Sequence, residues 1–343
     1  MPMSLFSCTY HRGGVLLPAL GLWLDASRAQ RGAERVFVSH AHSDHIAAHR
    51  ETILSPATAS LMRSRLPGRR TEHKLDWGIS QKFHSGPLDW NITLFPAGHI
   101  LGSAMARIEA GGESLLYTGD FKLRKGPASE GCHPVSADIL IMETTFGRPV
   151  YRFPPTEQVL ADIHRFCQEN LDQGITPVLL GYSLGKSQEM LAGLVGLNRP
   201  ILVHPQIAKL NRIYEDFGHR FPAYSVLSRD QSAQGCIVLC PPGTELKRYA
   251  DPLGPHRKAV LTGWALHSNC RYRHGADAAF PLSDHADYQD LHAFVRAVNP
   301  REVLTLHGFA SDFAQSLRNT GFAARSLSEA DQLHLPLELP NSE

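Results

Sequence analysis

Val36-Phe-Val-Ser39 is a short apolar run that leads straight into His40-Ala-His42-Ser-Asp44-His45. The first four residues read as a strand, and the next six place three imidazoles and a carboxylate on the segment that leaves it. Burying that many polar groups without a partner is costly, so the segment is expected to serve a shared cation. Side chains alternate along extended chain, which sends His40 and His42 to the same side. Asp44 and His45 follow where the chain is expected to turn into a helix. The spacing offers two ligands to one ion and two to a neighbouring ion, which points to metal-dependent hydrolysis.

Two further segments supply companions. Ala97-Gly98-His99-Ile-Leu-Gly-Ser103 follows an expected strand at 90–96 and sets a glycine beside the histidine, where backbone can approach closely. Tyr117-Thr-Gly-Asp120 ends an expected strand at 114–118, and its carboxylate could bridge two ions. Alone, His99 is an ordinary buried histidine and Gly-Asp an ordinary turn. They gain meaning from the first cluster.

Composition sets the limits. The chain has 343 residues, enough for two domains, with 43% hydrophobic and 20% charged residues. Its 34 Lys+Arg against 33 Asp+Glu leave a net charge of +1, so any basic footprint for nucleic acid must be local. The 19 histidines point to metal chemistry. Six cysteines without C-x-x-C spacing read as reduced thiols of a cytoplasmic protein, with Cys236 and Cys240 as buried strand residues. No apolar run is long enough to span a membrane, and Val15 to Leu24 lacks the flanks of a signal peptide.

Short strands are expected at 14–17, 22–25, 36–39, 90–96, 104–109, 114–118 and 139–142. A helix is expected at 56–66, with Ser55 as its cap and Pro56 at its first position. After Pro149 strands at 177–181, 201–204, 236–239 and 258–262 alternate with helices such as 186–197 and 206–217, the pattern of a parallel sheet with covering helices. Helix 288–298, strand 302–306 and helix 309–319 close the chain, while the 220s and 243–257 read as loops.

The ordered set H-x-H-x-D-H, G-H and T-G-D resembles the motifs of the metallo-β-lactamase superfamily. That resemblance implies that His40, His42 and His99 hold one divalent ion, Asp44 and His45 a second, and Asp120 both, with Asp25 as a structural aspartate nearby. Met142-Glu143-Thr-Thr-Phe-Gly147, Leu282-Ser-Asp-His285-Ala-Asp287 and Leu304-Thr-Leu-His307-Gly308 resemble the three added motifs of the β-CASP branch. By resemblance Glu143 pairs with His285, which donates a proton to the departing oxygen, and His307 completes the second metal site. The catalytic set is then Asp44, Glu143 and His285. The implied fold is an αββα sandwich at 1–150 and 265–343, interrupted at 151–264 by a parallel α/β β-CASP domain.

The same resemblance implies a nuclease using water activated by two metal ions, zinc first and manganese as a substitute, since the aspartates suit harder ions. Gly263-Trp264 through His307-Gly308 is most similar to small bacterial ligase-associated DNA exonucleases. DNA digested from a 5′ end is therefore the expected substrate, with a DNA ligase or helicase as functional associate. RNA processing of the mRNA 3′-end type is the alternative, and another hydrolase of the same fold the second. Ser183 and Lys186, in a segment opening a helix, are candidate phosphate contacts. Arg271 and Arg273, flanking Tyr272, suit a passing single strand, and Arg63, Arg65, Arg69, Arg70 and Lys74 form a second basic run.

Overall fold

Strand Ala104–Ala110 shows how one sheet builds two cores. Ala104, Ala106, Ile108 and Ala110 fall into one apolar cluster, while the intervening Met105 falls into another. Period-two alternation requires this of a strand covered on both faces. Leu115 and Tyr117 against Leu116 repeat the pattern, as do Ile139 and Ile141 against Leu140 and Met142. The unbroken apolar run at 139–142 is therefore a buried strand, Ile139–Glu143.

A computed structural model describes residues 5–11, 13–30, 32 and 34–327. They form two compact units, one up to residue 152 and again from 285, the other 153–284. In the first, a six-stranded sheet built from Thr9–His11, Gly14–Leu17, Leu22–Leu24, Arg35–Phe37, Glu51–Leu54 and Thr71–Lys74 shares a core with a seven-stranded sheet. The latter runs Ala324–Ser326, Glu302–Leu306, Ile139–Glu143, Glu113–Tyr117, Ala104–Ala110, Leu88–Pro96, Gln81–Ser85. Its outer face is covered by helices Tyr288–Val298 and Ala310–Asn319 through Phe294, Val295, Val298, Phe313 and Leu317. Helix Pro56–Arg65 packs beside Thr71–Lys74. This is the expected mixed α/β sandwich.

The second unit is a parallel sheet in the order Ser225–Val226, Ile201–Val203, Ile237–Cys240, Thr176–Leu180, His256–Leu261, Ala278–Phe280. Helices Thr156–Asp172, Lys186–Gly193 and Pro205–Asp216 contribute to its cores. It runs to 284 and not to 264, because Ala278–Phe280 adds a parallel edge strand to His256–Leu261. Residues 328–343 of the expected closing segment lie outside the described residues.

Other expectations shift. No helix follows His45; the chain runs irregularly into strand Glu51–Leu54. The basic run carries partners, since Arg63 and Arg70 both pair with Glu72. All six cysteines are free, and burial pushes the Cys132, Cys167 and Cys240 thiols up to about 12. No helix among the described residues is long and apolar enough to cross a membrane.

Candidate metal centre and active site

The centre is organised from Asp25, which follows strand Leu22–Leu24 in a left-handed conformation at φ 48°. Its buried carboxylate gathers donors from three segments. Oδ1 accepts from Ser39 N at 2.7 Å, and Oδ2 accepts from Ser39 Oγ at 2.5 Å, His45 Nδ1 at 3.0 Å and Tyr117 Oη at 3.0 Å. A carboxylate only accepts, so these bonds fix the protons. The Ser39 hydroxyl hydrogen goes to Asp25, and Ser39 Oγ therefore accepts from His40 Nδ1 at 2.9 Å. His40 Nε2 is left with a bare lone pair, and His45, donating from Nδ1, likewise keeps Nε2 for a second partner.

Those nitrogens converge. His42 Nδ1 lies 3.1 Å from His40 Nε2 and 3.0 Å from His99 Nε2. Asp120 Oδ2 lies 3.6 Å from His40 Nε2, 3.4 Å from His45 Nε2 and 3.9 Å from His99 Nε2. One donor atom from each of His40, His42, His99 and Asp120 fits within a 4.8 Å cluster. Three imidazole nitrogens facing one another cannot all be satisfied by protons, whereas one divalent cation accepts every lone pair. Electrostatics agree: burial, then His45 and His99, hold His40 well below the usual imidazole range, which keeps it neutral. Burial opposes ionisation of Asp120, but His45 and His285 hold it well below the usual carboxylate range. Neutral imidazole and ionised carboxylate are the states ligation needs. The donor set fits a divalent cation such as zinc.

The expected second set is looser. His45 groups with Asp25 and His40. Burial would lower its pKa, but Asp120, Asp44 and Asp25 raise it well above the usual value. Asp44 is 70% exposed and lies 3.7 Å from His45 Nε2. The His307 ring centre lies 6.0 Å from that of His45.

Beside Asp120 stands the pair expected from the later motifs. His285 Nδ1 donates to Glu143 Oε1 at 2.8 Å. Glu143, at the end of its strand, also accepts from Phe121 N at 3.0 Å and from Thr145 N and Oγ1 at 3.2 and 2.5 Å. Asp120, Glu143 and His285 themselves cluster within 4.8 Å. The His285 segment is stitched to the Asp120 loop by Ala286 N donating to Phe121 O at 2.8 Å, and by Arg124 pairing with the buried Asp287 and with Asp290.

The four nucleic-acid candidates belong to the other unit. Lys186 is 1% exposed and its Nζ lies 3.0 Å from Asp284 Oδ1. It is thus an internal ion-pair partner, which corrects the expectation of an open phosphate contact. Ser183 is half-buried, with its carbonyl accepting from Gln188 Nε2. Arg271 and Arg273 are exposed on the short helix Cys270–Arg273, where Arg271 lies over the Tyr272 ring. The sequence reading missed Ser39, Tyr117 and Thr145, whose hydroxyls bond the acidic residues of the site. A Ser following an apolar strand and a Tyr within one carry no spacing of their own.

The chain is similar to proteins of the β-CASP branch of the metallo-β-lactamase fold family. Residues 278–326, which hold His285 and His307, match the family described as Zn-dependent metallo-hydrolase RNA specificity domain. The chain is 52% identical over 323 residues to a probable DNA ligase of Opitutus terrae, an alignment covering 94% of this chain and 31% of that protein. It is 25% identical to the DNA cross-link repair protein SNM1 of Arabidopsis thaliana, covering 84% of this chain and 64% of that one. It thus spans about a third of the first relative and under two thirds of the second. A solved Enterococcus faecalis protein of unknown function shares the fold at TM-score 0.57 and 13% identity, over 87% of this chain and 79% of that chain.

Proposed function

We propose that this chain is a metal-dependent nuclease that hydrolyses phosphodiester bonds, with DNA attacked from its 5′ end as the leading substrate. The observation that carries the reading is the Glu143–His285 hydrogen bond of 2.8 Å, standing beside the His40, His42, His99 and Asp120 donor set. A hydrolase that only needed to polarise a carbonyl would have no use for a second, carboxylate-held imidazole.

In this reading His40, His42, His99 and Asp120 hold one divalent ion, zinc or manganese, and Asp120 leads on to a second held with His45, Asp44 and His307. Bound there, such ions lower the pKa of water and neutralise charge on phosphoryl oxygens. The chain's own residues supply the rest. Glu143 accepts the hydrogen bond from His285 Nδ1, so Nε2 is the nitrogen that would deliver a proton to the departing oxygen. Four hydrogen bonds to Glu143 hold that carboxylate still while it orients the imidazole. Ser39 and Asp25 fix the tautomers of His40 and His45.

DNA is favoured because the more similar relatives named above are a probable DNA ligase and a DNA cross-link repair protein. The first of these also supports working association with a DNA ligase, inside the cell. An RNA substrate is the second reading, favoured by the RNA-specificity family matched at 278–326.

The test is an end-labelled, 5′-phosphorylated single-stranded DNA and the matching RNA, each incubated with the protein and Zn²⁺ or Mn²⁺. Stepwise shortening of DNA alone supports the leading reading. Cleavage confined to RNA transfers the assignment to the second, and two intact substrates overturn the nuclease reading.

A further inference from the structure

His307 is one of four non-glycine residues described with positive φ, at 58°, and Gly308 follows at 57°. Two successive left-handed residues reverse the chain immediately after strand Glu302–Leu306. The left-handed region is uncommon outside glycine, because there Cβ crowds the following carbonyl oxygen. Such a conformation persists only where surrounding structure over-determines it.

What over-determines it is Thr144. Its fully buried hydroxyl donates to His307 O at 2.6 Å and also lies 3.2 Å from Leu306 O. Its own carbonyl accepts Phe309 N at 3.0 Å. The reversal from 306 to 309 is thus wrapped around one threonine, bonded on both sides. Gly308 closes the wrap from outside: a Cβ there would run into Thr145 Cα and Thr144 O. The His307 ring, carried by this reversal, faces His45 at 6.0 Å between centres. Thr144 does not reach the cluster itself. It follows Glu143, which holds His285, so neighbouring residues govern two histidines from a distant part of the chain.

We propose that Thr144 is a positioning residue for His307, holding its left-handed backbone so that the imidazole serves the metal centre beside His45. The inference rests on the metal-centre reading above. Partners that orient a ligand from behind typically contribute about 10–100-fold to metal affinity when lost, and this one would act through backbone geometry instead of through the ring.

Zinc affinity of the whole chain, measured by competition with a chromophoric chelator, tests this without any nuclease assay. Thr144→Val removes the hydroxyl and should weaken zinc binding about 10–100-fold, while Thr144→Ser, which keeps it, should bind close to wild type. In a His307→Ala background, adding Thr144→Val should change zinc affinity no further. Circular dichroism checks the fold of each variant, and Thr144→Ala replaces Thr144→Val in the comparison if the valine disrupts it. Wild-type affinity in both hydroxyl-less variants, or additive loss in the double variant, overturns the positioning role and leaves the metal centre standing. Absence of zinc binding by the wild type overturns the metal-centre reading itself, and the inference with it.

Discussion

At His285 the imidazole has one nitrogen committed to Glu143, so in the proposed mechanism proton delivery would fall to the other. Replacing His285 with Ala should lower turnover of a labelled oligonucleotide by about 10²–10⁴-fold, the usual range for a lost general acid. Zinc content by mass spectrometry should stay unchanged, because His40, His42, His99 and Asp120 remain. Undiminished turnover would remove His285 from the mechanism. The acidic and imidazole groups of the site were legible in the sequence, because histidines and carboxylates crowd into few positions and seldom do so by accident. The hydroxyls of Ser39, Tyr117 and Thr145 were not, since a hydroxyl bonds whatever the fold brings to it. Lys186 misled for a related reason: a lysine opening a helix reads as exposed until a buried aspartate is found beside it.

Among the elements, helix Pro56–Arg65 does more than fill space. Ser55 caps it by accepting from Thr58 N at 3.1 Å, and the Ser55 and Thr58 hydroxyls both donate to Gly102 O, at 2.7 and 2.8 Å. Gly102 closes the loop that carries His99, at φ 73°, and a Cβ there would meet Ala57 Cβ at 2.6 Å and Ser55 Oγ at 2.8 Å. Gly102→Ala therefore combines a left-handed penalty with a clash and should cost about 1–3 kcal/mol, read as a lower Tm with weaker zinc binding. A Gly102→Ala variant as stable as wild type would show that the loop has slack. Helix Tyr288–Val298 offers a pH-dependent counterpart. Burial, assisted by Arg296, lowers the pKa of His292, whose Nε2 lies 3.0 Å from Ser316 Oγ. The unfolded chain therefore takes up this proton more readily than the folded one. The contribution of His292 is fully present above the unfolded histidine value, about 6.5, and is lost as pH falls below it. His292→Gln should flatten the fall in Tm between neutral pH and pH ~5, and parallel curves would contradict this. Tyr288–Val298 and Glu302–Leu306 were readable to the residue from periodicity. Thr71–Lys74 and Gln81–Ser85 were not, because mostly polar strands have no apolar alternation to reveal them.

For the whole molecule, the arrangement predicts an uneven response to chelation. Removing bound metal should lower Tm, by the equivalent of about 2.7 kcal/mol if zinc had stood at a hundred times its dissociation constant. Hydrogen exchange should quicken around 39–45, 97–103 and 118–121, while the parallel sheet of 153–284, with its own apolar clusters, keeps its protection. Uniform loss of protection would contradict a centre confined to the sandwich. The alternation of strands and helices announced that inserted unit, but its last strand, Ala278–Phe280, was too short and too plain to be noticed. One consequence concerns the order of events as the chain folds. Strand Ile139–Glu143 lies parallel to Glu302–Leu306, with Glu143 opposite Leu306, and Thr144 bonds a residue 163 positions away. Contacts that distant cannot repay the cost of closing the intervening chain until late. Glu143 and His285, and Thr144 and His307, are thus expected to meet late, so a half-made chain holds the His40, His42, His99 and Asp120 donors without the two imidazoles from the far end of the chain.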